Sequence, residues 1–468
     1  MLYFFNSLLE NILATFQGKK DYVCFPNDNR FTALHLAVDS GSLENTELCL
    51  KFGANIESQS TGLLTPLHLA ALNGCYDIAK ILIVNGAIVN APDLKSKTCL
   101  HYASISNNTK LIELLLNHGA SIESKDKKLQ TPIMVAASHN NVDTLRFLLQ
   151  NDANVFTQDQ DGKTCLHLIA ERDCIDAFNI FGKQYGRDLI QIHDYAGFTS
   201  TLAAAAAGSN SILTEIAAQF GDTIINHQDN HGNNALHLAA IHHHRDTVRT
   251  IIDQMPFMNV NMCNMYGQRP LHLAAKNGSS RVIHYLIKHG ADVNCRDHSG
   301  WYPLHFAIKY GHLMSVKLLL FEGSEINVFN ETEETPLLMA CEMRHIEIAV
   351  LLLEKGANPA IRNNKDQNCL DIACEHRLND IGLAIIKTKF WEKVMENRAY
   401  DGYHPMKRLL HRMPVVAEAV MDRSITFVKT KNGNDVVKQV SFDFTYLESS
   451  PEDHHLQDVK DKYIAVEK

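Results

Sequence analysis

The sequence predicts an all-α solenoid of stacked helical pairs, followed by a small C-terminal α+β module built from a helical pair and a β-hairpin. Three observations carry this. A six-residue core recurs eleven times between residues 32 and 373, mostly every 33 residues. Five of the recurrences are followed by a glycine, and most by a second, more apolar stretch at helical spacing. Past residue 386 the repeat gives out, and proline-led helices and then alternating strands take its place.

The cores come first. "TALHLA" starts at Thr32, "TPLHLA" at Thr65, "TCLHYA" at Thr98, "TPIMVA" at Thr131 and "TCLHLI" at Thr164, each 33 residues after the last. "TSTLAA" at Thr199, "NALHLA" at Asn234 and "RPLHLA" at Arg269 follow at steps of 35. "YPLHFA" at Tyr302, "TPLLMA" at Thr335 and "NCLDIA" at Asn368 return to 33. A fixed period of this length belongs to stacked supersecondary units. Thr suits a helix N-cap, where its hydroxyl accepts from a free backbone N–H, and Pro suits the first helical position, where no donor is needed. Seven cores carry His at the fourth place: His35, His68, His101, His167, His237, His272 and His305. Gly74, Gly278 and Gly311 supply the left-handed turn that ends a first helix. The second helices are denser in apolar residues, as in "DIAKILIVNGA" (77–87) and "MSVKLLLFEGS" (314–324), and glycines such as Gly53, Gly86, Gly119, Gly290 and Gly356 close them. One unit cannot bury its own apolar face, so neighbours must stack, and the weakest unit can open alone.

That weakest unit lies between Thr164 and Thr199. Its second helix, "IDAFNIFGKQYGRDLIQI", contains Gly182 and Gly186 and runs two residues long, and the next core lacks His. This is either drift of one unit or a bend near residues 176–210.

The 33-residue period with its T-P-L-H core resembles the ankyrin repeat over residues 26–386. The resemblance implies that the core imidazoles hydrogen-bond between neighbouring loops rather than catalyse, and that protein partners sit on the concave face of the array. Residues 1–25, which open with "MLYFFNSLLENILATF", lack a basic n-region and a small-residue cleavage site. They read as an amphipathic helix resembling the second helix of a preceding, truncated unit.

Other chemistry is excluded by composition and spacing. The net charge of −9 gives no argument for nucleic acid, and no run approaches the roughly 18 apolar residues of a membrane span. Eleven cysteines without a C-x-x-C pair indicate neither zinc nor a disulfide framework. Cys99, Cys165 and Cys369 share one core position, which is a packing role. "HHHR" (242–245) cannot converge on one ion, because successive helix residues do not share a face. "DGKT" (161–164) lacks the upstream glycine loop of a phosphate site and reads as a turn. No catalytic residue, cofactor site or metal site is expected; the protein is read as a non-enzyme.

The tail, 387–468, is the discriminating part. Ile381, Ala384, Ile385, Trp391, Val394 and Met395 recur at helical spacing, so the last repeat's second helix is expected to continue out of the array. Pro405 and Pro414 each open a short helix. "SITFVKT", "KNGN" and "VVKQVSFDFTY" predict two strands about an Asn-Gly turn, with Phe442, Phe444 and Tyr446 on one face. Lys389–Lys393, Pro405–Leu410, Met413–Met421 and Phe442–Leu447 together resemble the linker of ankyrin-type transient receptor potential (TRPA) channels. That implies the cytosolic, gate-coupling part of a homotetrameric, calcium-permeable cation channel at the inner face of the plasma membrane, with pore helices absent from these residues. Its coupling residues are then Trp391, Pro405, Pro414, Phe442, Phe444 and Tyr446. In some relatives the linker holds electrophile-reactive cysteines; here His404, Val416 and Ser424 stand in those places. Lys407, Arg408 and Arg412 form a basic cluster, which reads either as a solvated helix face or as a contact for an inositol phosphate or lipid head group. The alternative function is a free-standing cytosolic adaptor.

Overall fold

The computed structural model describes residues 25–221, 226–255, 258–396, 404–432 and 435–442, with side chains as far as residue 424. The expected helix over residues 1–25 therefore lies almost wholly outside the described residues, as do Phe444 and Tyr446. The chain falls into two compact units. One runs to His242 and takes in Asp246–Met258; the other comprises His243–Arg245 and the residues from Asn259 onward.

All eleven predicted cores open a helix. In the first unit these first helices are Ala33–Asp39, Pro66–Leu72, Cys99–Ser106, Pro132–Ser138, Cys165–Glu171, Ser200–Ala207 and Ala235–Ile241. In the second they are Pro270–Lys276, Pro303–Lys309, Pro336–Glu342 and Cys369–His376. We number the repeats 1 to 11 in this order. Each first helix packs on the first helix of its neighbour within the unit and, Ala235–Ile241 aside, on its own second helix. The core is a column of fully buried residues such as Leu34, Leu67, Leu100, Leu111, Leu115 and Leu145. Cys99, Cys165 and Cys369 belong to it, wholly buried as their repeat position predicted. Burial pushes the Cys165 thiol up to about 12 and that of Cys99 higher still, so both are inert packing groups.

The histidines build the vertical seam. Nδ1 of His35, His68, His101 and His167 accepts the N–H of the core's first residue, at 3.1–3.2 Å. Nε2 then carries the proton and donates to a carbonyl in the next loop: Leu64 at 2.9 Å, Lys97 at 3.2 Å, Gln130 at 3.0 Å and Phe198 at 2.8 Å. In the second unit His272 accepts from Arg269 and donates to Trp301 at 3.1 Å. His305 accepts from Tyr302 at 3.2 Å, but its Nε2 lacks a bond of ordinary geometry. His237 is wholly buried, with Nδ1 accepting from the Asn234 N–H. Only a neutral imidazole fits a site that demands an acceptor at Nδ1. Burial, the main cause, pulls His272 and His305 down to about 4.

The hydroxyl cap expected at each Thr is refined by this seam. It is made at Thr199 and Thr335, which bond the N–H of Leu202 and Leu338. Where a histidine is present, the hydroxyl of Thr32, Thr65, Thr98 or Thr164 lies instead against Nδ1, at 2.8–3.0 Å. At Thr131 the backbone N–H meets Met134 Sδ at 3.5 Å, and the hydroxyl has no hydrogen-bond partner.

A second recurring device escaped the core-centred pattern. Five residues before nearly every core stands Asp or Asn: Asp93, Asp126, Asp159, Asp194, Asp229, Asn264, Asp297, Asn330 and Asn363. Each is buried, and its Oδ1 accepts two backbone N–H groups of the turn that leads into the core. The turns project as fingers. "DGKT" is one of them, with Gly162 at φ 82°. His243, in "HHHR", takes the left-handed position after a first helix, at φ 62°.

The irregular repeat has a long second helix. Its second helix, Ile175–Leu189, is an unbroken fifteen residues. Gly182 and Gly186 are buried in it where the second helix of repeat 6, Asn210–Phe220, comes close. A Cβ would lie 2.6 Å from Gln219 Oε1 at the first and 2.5 Å from Phe220 Cζ at the second. The glycines are thus contact points for a close helix approach, and Phe178 lies beside Gly182, its Cε1 3.4 Å from where a Cβ would sit. Repeat 5 remains linked forward through His167.

Candidate functional site: the end of the array

The second helix of repeat 11, Asn379–Lys387, does not continue as expected. Thr388 turns extended (φ −72°, ψ 164°), its hydroxyl donates to the Ile385 carbonyl at 2.7 Å, and a new helix begins at Trp391 and runs to Glu396. The apolar periodicity persists across the break because Trp391, Val394 and Met395 are buried on the same junction, not because the helix is continuous.

Pro405 and Pro414 open helices as predicted, Pro405–Arg412 and Pro414–Arg423. The first packs on the first helix of repeat 11 and the second on its second helix. Met406, Leu409, Met413, Val416, Ala417 and Val420 are essentially sealed in the interface. Gly382 makes room for it, since a Cβ there would sit 2.8 Å from Val416 Cγ2. The strands Ile425–Asn432 and Asp435–Phe442 pair antiparallel, from Ile425 opposite Phe442 to Asn432 opposite Asp435.

Two arginines lock the module on. Repeat 11 has Asp371 where other cores have His. Its Oδ2 accepts the N–H of Asn368 at 3.0 Å, repeating the capping geometry, while Oδ1 meets Arg408 Nη1 at 3.1 Å. Asp371 is 2% and Arg408 14% exposed, so the pair is largely withdrawn from water. Arg423 donates to the carbonyls of Ile386 and Thr388 and lies over the Trp391 ring, 5.4 Å from its centre.

This alters the basic cluster. Arg408 faces inward to Asp371, Lys407 is half-buried and Arg412 is exposed, so the three do not share one open face. The three tail positions where the sequence resemblance would place reactive cysteines are taken by groups with structural partners. His404 Nδ1 accepts the Met406 N–H, Val416 seats on Gly382, and the Ser424 hydroxyl donates to Val420. Burial pushes the nearby Cys374 up to about 12. Among the described residues no cluster of His, Cys, Asp or Glu is arranged to hold a metal, and no helix is long and apolar enough to cross a membrane.

The family description "Ankyrin repeats (3 copies)" matches residues 5–93, 34–126, 100–191, 256–330 and 304–390, and "Ankyrin repeat" matches 231–265. The chain belongs to the ankyrin-repeat family. Residues 192–230, which include the His-less core of repeat 6, fall outside these matches, yet they fold as a helical pair. Over 77 residues the chain is 44% identical to the chicken (Gallus gallus) nuclear factor NF-kappa-B p105 subunit, covering 16% of this chain and 8% of that protein. Over 70 residues it is 36% identical to the E3 ubiquitin-protein ligase KEG of Arabidopsis thaliana, covering 15% and 4%. The chain thus spans under a tenth of the length of these relatives.

Proposed function

We propose that this chain is a protein-interaction scaffold whose terminal module serves as the gate-coupling segment of a TRPA-like, tetrameric, calcium-permeable cation channel. Ankyrin arrays supply the first half of that statement, since stacked repeats expose extended surfaces for protein partners. The second half rests on the tail's resemblance and on one observation: Asp371 replaces the inter-repeat histidine and meets Arg408 of the terminal module. A last repeat that merely ended would leave that position to solvent. Here it is adapted to hold a specific partner element, as a part that hands movement onward requires. With Arg408 so engaged, a polyanion contact at Lys407, Arg408 and Arg412 is not part of the reading.

The test uses the complete transcript. Reading it beyond the Lys468 codon is expected to give several runs of about 20 apolar residues. The whole product, expressed in cells with a calcium indicator, should admit calcium. Arg408→Ala should abolish that entry while surface abundance persists. A product without such runs, or entry indifferent to Arg408, would overturn the coupling reading.

The second reading is a free-standing adaptor. It is favoured by the matched relatives, an NF-kappa-B subunit and a ubiquitin ligase, whose names are not those of channels.

A further inference from the structure

Eleven fingers share one backbone design, and in every one the residue two before the core has positive φ. Five fingers use glycine there: Gly162, Gly197, Gly232, Gly267 and Gly300. Fingers 2 and 4 use leucine instead, Leu63 at φ 55° and Leu129 at φ 58°. The left-handed region is unfavourable for a side chain of that size, and polar Asn, Asp or Gly fill it in ordinary turns. Neither leucine gains burial in return, being 37% and 45% exposed. Leu94, at the tip of finger 3 between them, is 52% exposed. Folding alone gives no reason for three exposed leucines on adjacent tips, two of them in disfavoured backbone. A backbone outlier of this kind is a pointer to function.

The exposed charges on the tips of fingers 3 and 4 are of one sign. Lys95, Lys125, Lys127 and Lys128 are exposed on fingers 3 and 4, in a chain whose net charge is −9. None of the four makes an ion pair among the described residues. The carboxylates at the tips of the same fingers, Asp93 and Asp126, are buried and turned to backbone N–H groups: those of Lys95 and Lys97 for the first, Lys128 and Gln130 for the second. The exposed Glu123, at the base of finger 4 beside Lys125, accepts the Asn154 N–H at 2.7 Å. The tips are also tied together. Leu94 N–H donates to the Gly62 carbonyl at 2.9 Å and Lys127 N–H to the Lys95 carbonyl at 2.8 Å. With neighbouring repeats about 10 Å apart, three tips span about 20 Å, the length of some six extended residues.

We propose that the tips of fingers 2–4 form a preorganised docking strip for an acidic segment of a partner protein. Leu63, Leu94 and Leu129 receive apolar side chains, and Lys95, Lys127 and Lys128 receive the carboxylates interleaved with them. Lysine clusters raise the association rate and select against basic partners, and the leucines retain the bound segment. The proposal rests on reading the array as an interaction surface and is independent of what the terminal module does.

The test is selection of a random peptide library, displayed on phage, against the whole chain. Selected peptides should be rich in Asp and Glu spaced with Leu, Ile or Phe. Their affinity should fall at least about tenfold in Lys95→Glu/Lys127→Glu/Lys128→Glu and in added salt. Leu63→Gly/Leu129→Gly should weaken the same peptides while holding or raising the melting temperature, which separates binding from folding. Peptides of any composition that bind both variants as well as the parent would remove the strip and leave the array's interaction role standing elsewhere. Recovery of no acidic peptides would overturn the proposal. So would retention on phosphatidylserine vesicles, in place of peptides, that the lysine variant abolishes; that result would assign the strip to a membrane surface.

Discussion

Repeats 8 and 11 hold the same position of the same helix with opposite chemistry. In repeat 8 His272 accepts from the backbone of its own core and donates to the Trp301 carbonyl of the next loop, an uncharged link between like units. In repeat 11 Asp371 keeps the inward bond but replaces the outward donor with an acceptor, because what lies beyond is Arg408 rather than another loop. The lesson is that a repeat array can change partner by changing one side chain. The inner half of the position is fixed by helix capping, and the outer half is free to specify a neighbour.

The comparison can be broken first with acid. His272 and His305 are drawn from the ordinary value of 6.5 to about 4 by burial, a difference worth about 3 kcal/mol each. The unfolded chain binds the extra protons between those values, so stability is full above pH 6.5 and is lost as pH falls toward about 4. The unfolding free energy of the array, from urea denaturation, should drop across that window by several kcal/mol. Amide exchange of Pro405–Arg423, held by Asp371, should lag behind that of repeats 8 and 9. Equal loosening of both regions would erase the distinction.

Next in size is Arg408→Ala, which leaves Asp371 buried and unpaired and should cost about 3–5 kcal/mol in exchange protection of the terminal helices. Asp371→Leu combined with Arg408→Leu should recover most of it. The interchange Asp371→His restores the array's own chemistry at the wrong place. It should cost about 2–3 kcal/mol, from the lost charge-assisted bond, and leave repeats 8 and 9 untouched. Smallest is Gly382→Ala. Its methyl group would meet Val416, and the strain, less the gain in helix propensity, should cost about 1–2 kcal/mol by chemical denaturation.

Much of this was legible in one dimension. The eleven cores, the buried cysteines at one core position and the two proline-led helices stand where period and capping rules put them. Such signals are local: Thr, Pro and Gly act on the backbone within a turn of themselves. The recurring Asp or Asn five residues before the core is equally legible, since it obeys the same period, but it lies outside the six-residue core that defines the match. What the sequence left open or misread is of another kind. The reason for Gly182 and Gly186 is visible only where the helix of repeat 6 lies against them. The apolar periodicity from Ile381 to Met395 resembles one helix, though it survives the Thr388 turn only because both pieces cover the same surface.

The sequence by itself determined the repeat family and the repeat register, because each follows from side chains acting on their own backbone or recurring at a fixed step. Only the tertiary structure decided that Asp371 faces Arg408, that Gly382 receives Val416 and that three leucines and three lysines stand together on adjacent fingertips. Asp371 and Arg408 are 37 residues apart in the chain. Which groups meet across such distances is set by how repeats stack, a property that no single turn encodes.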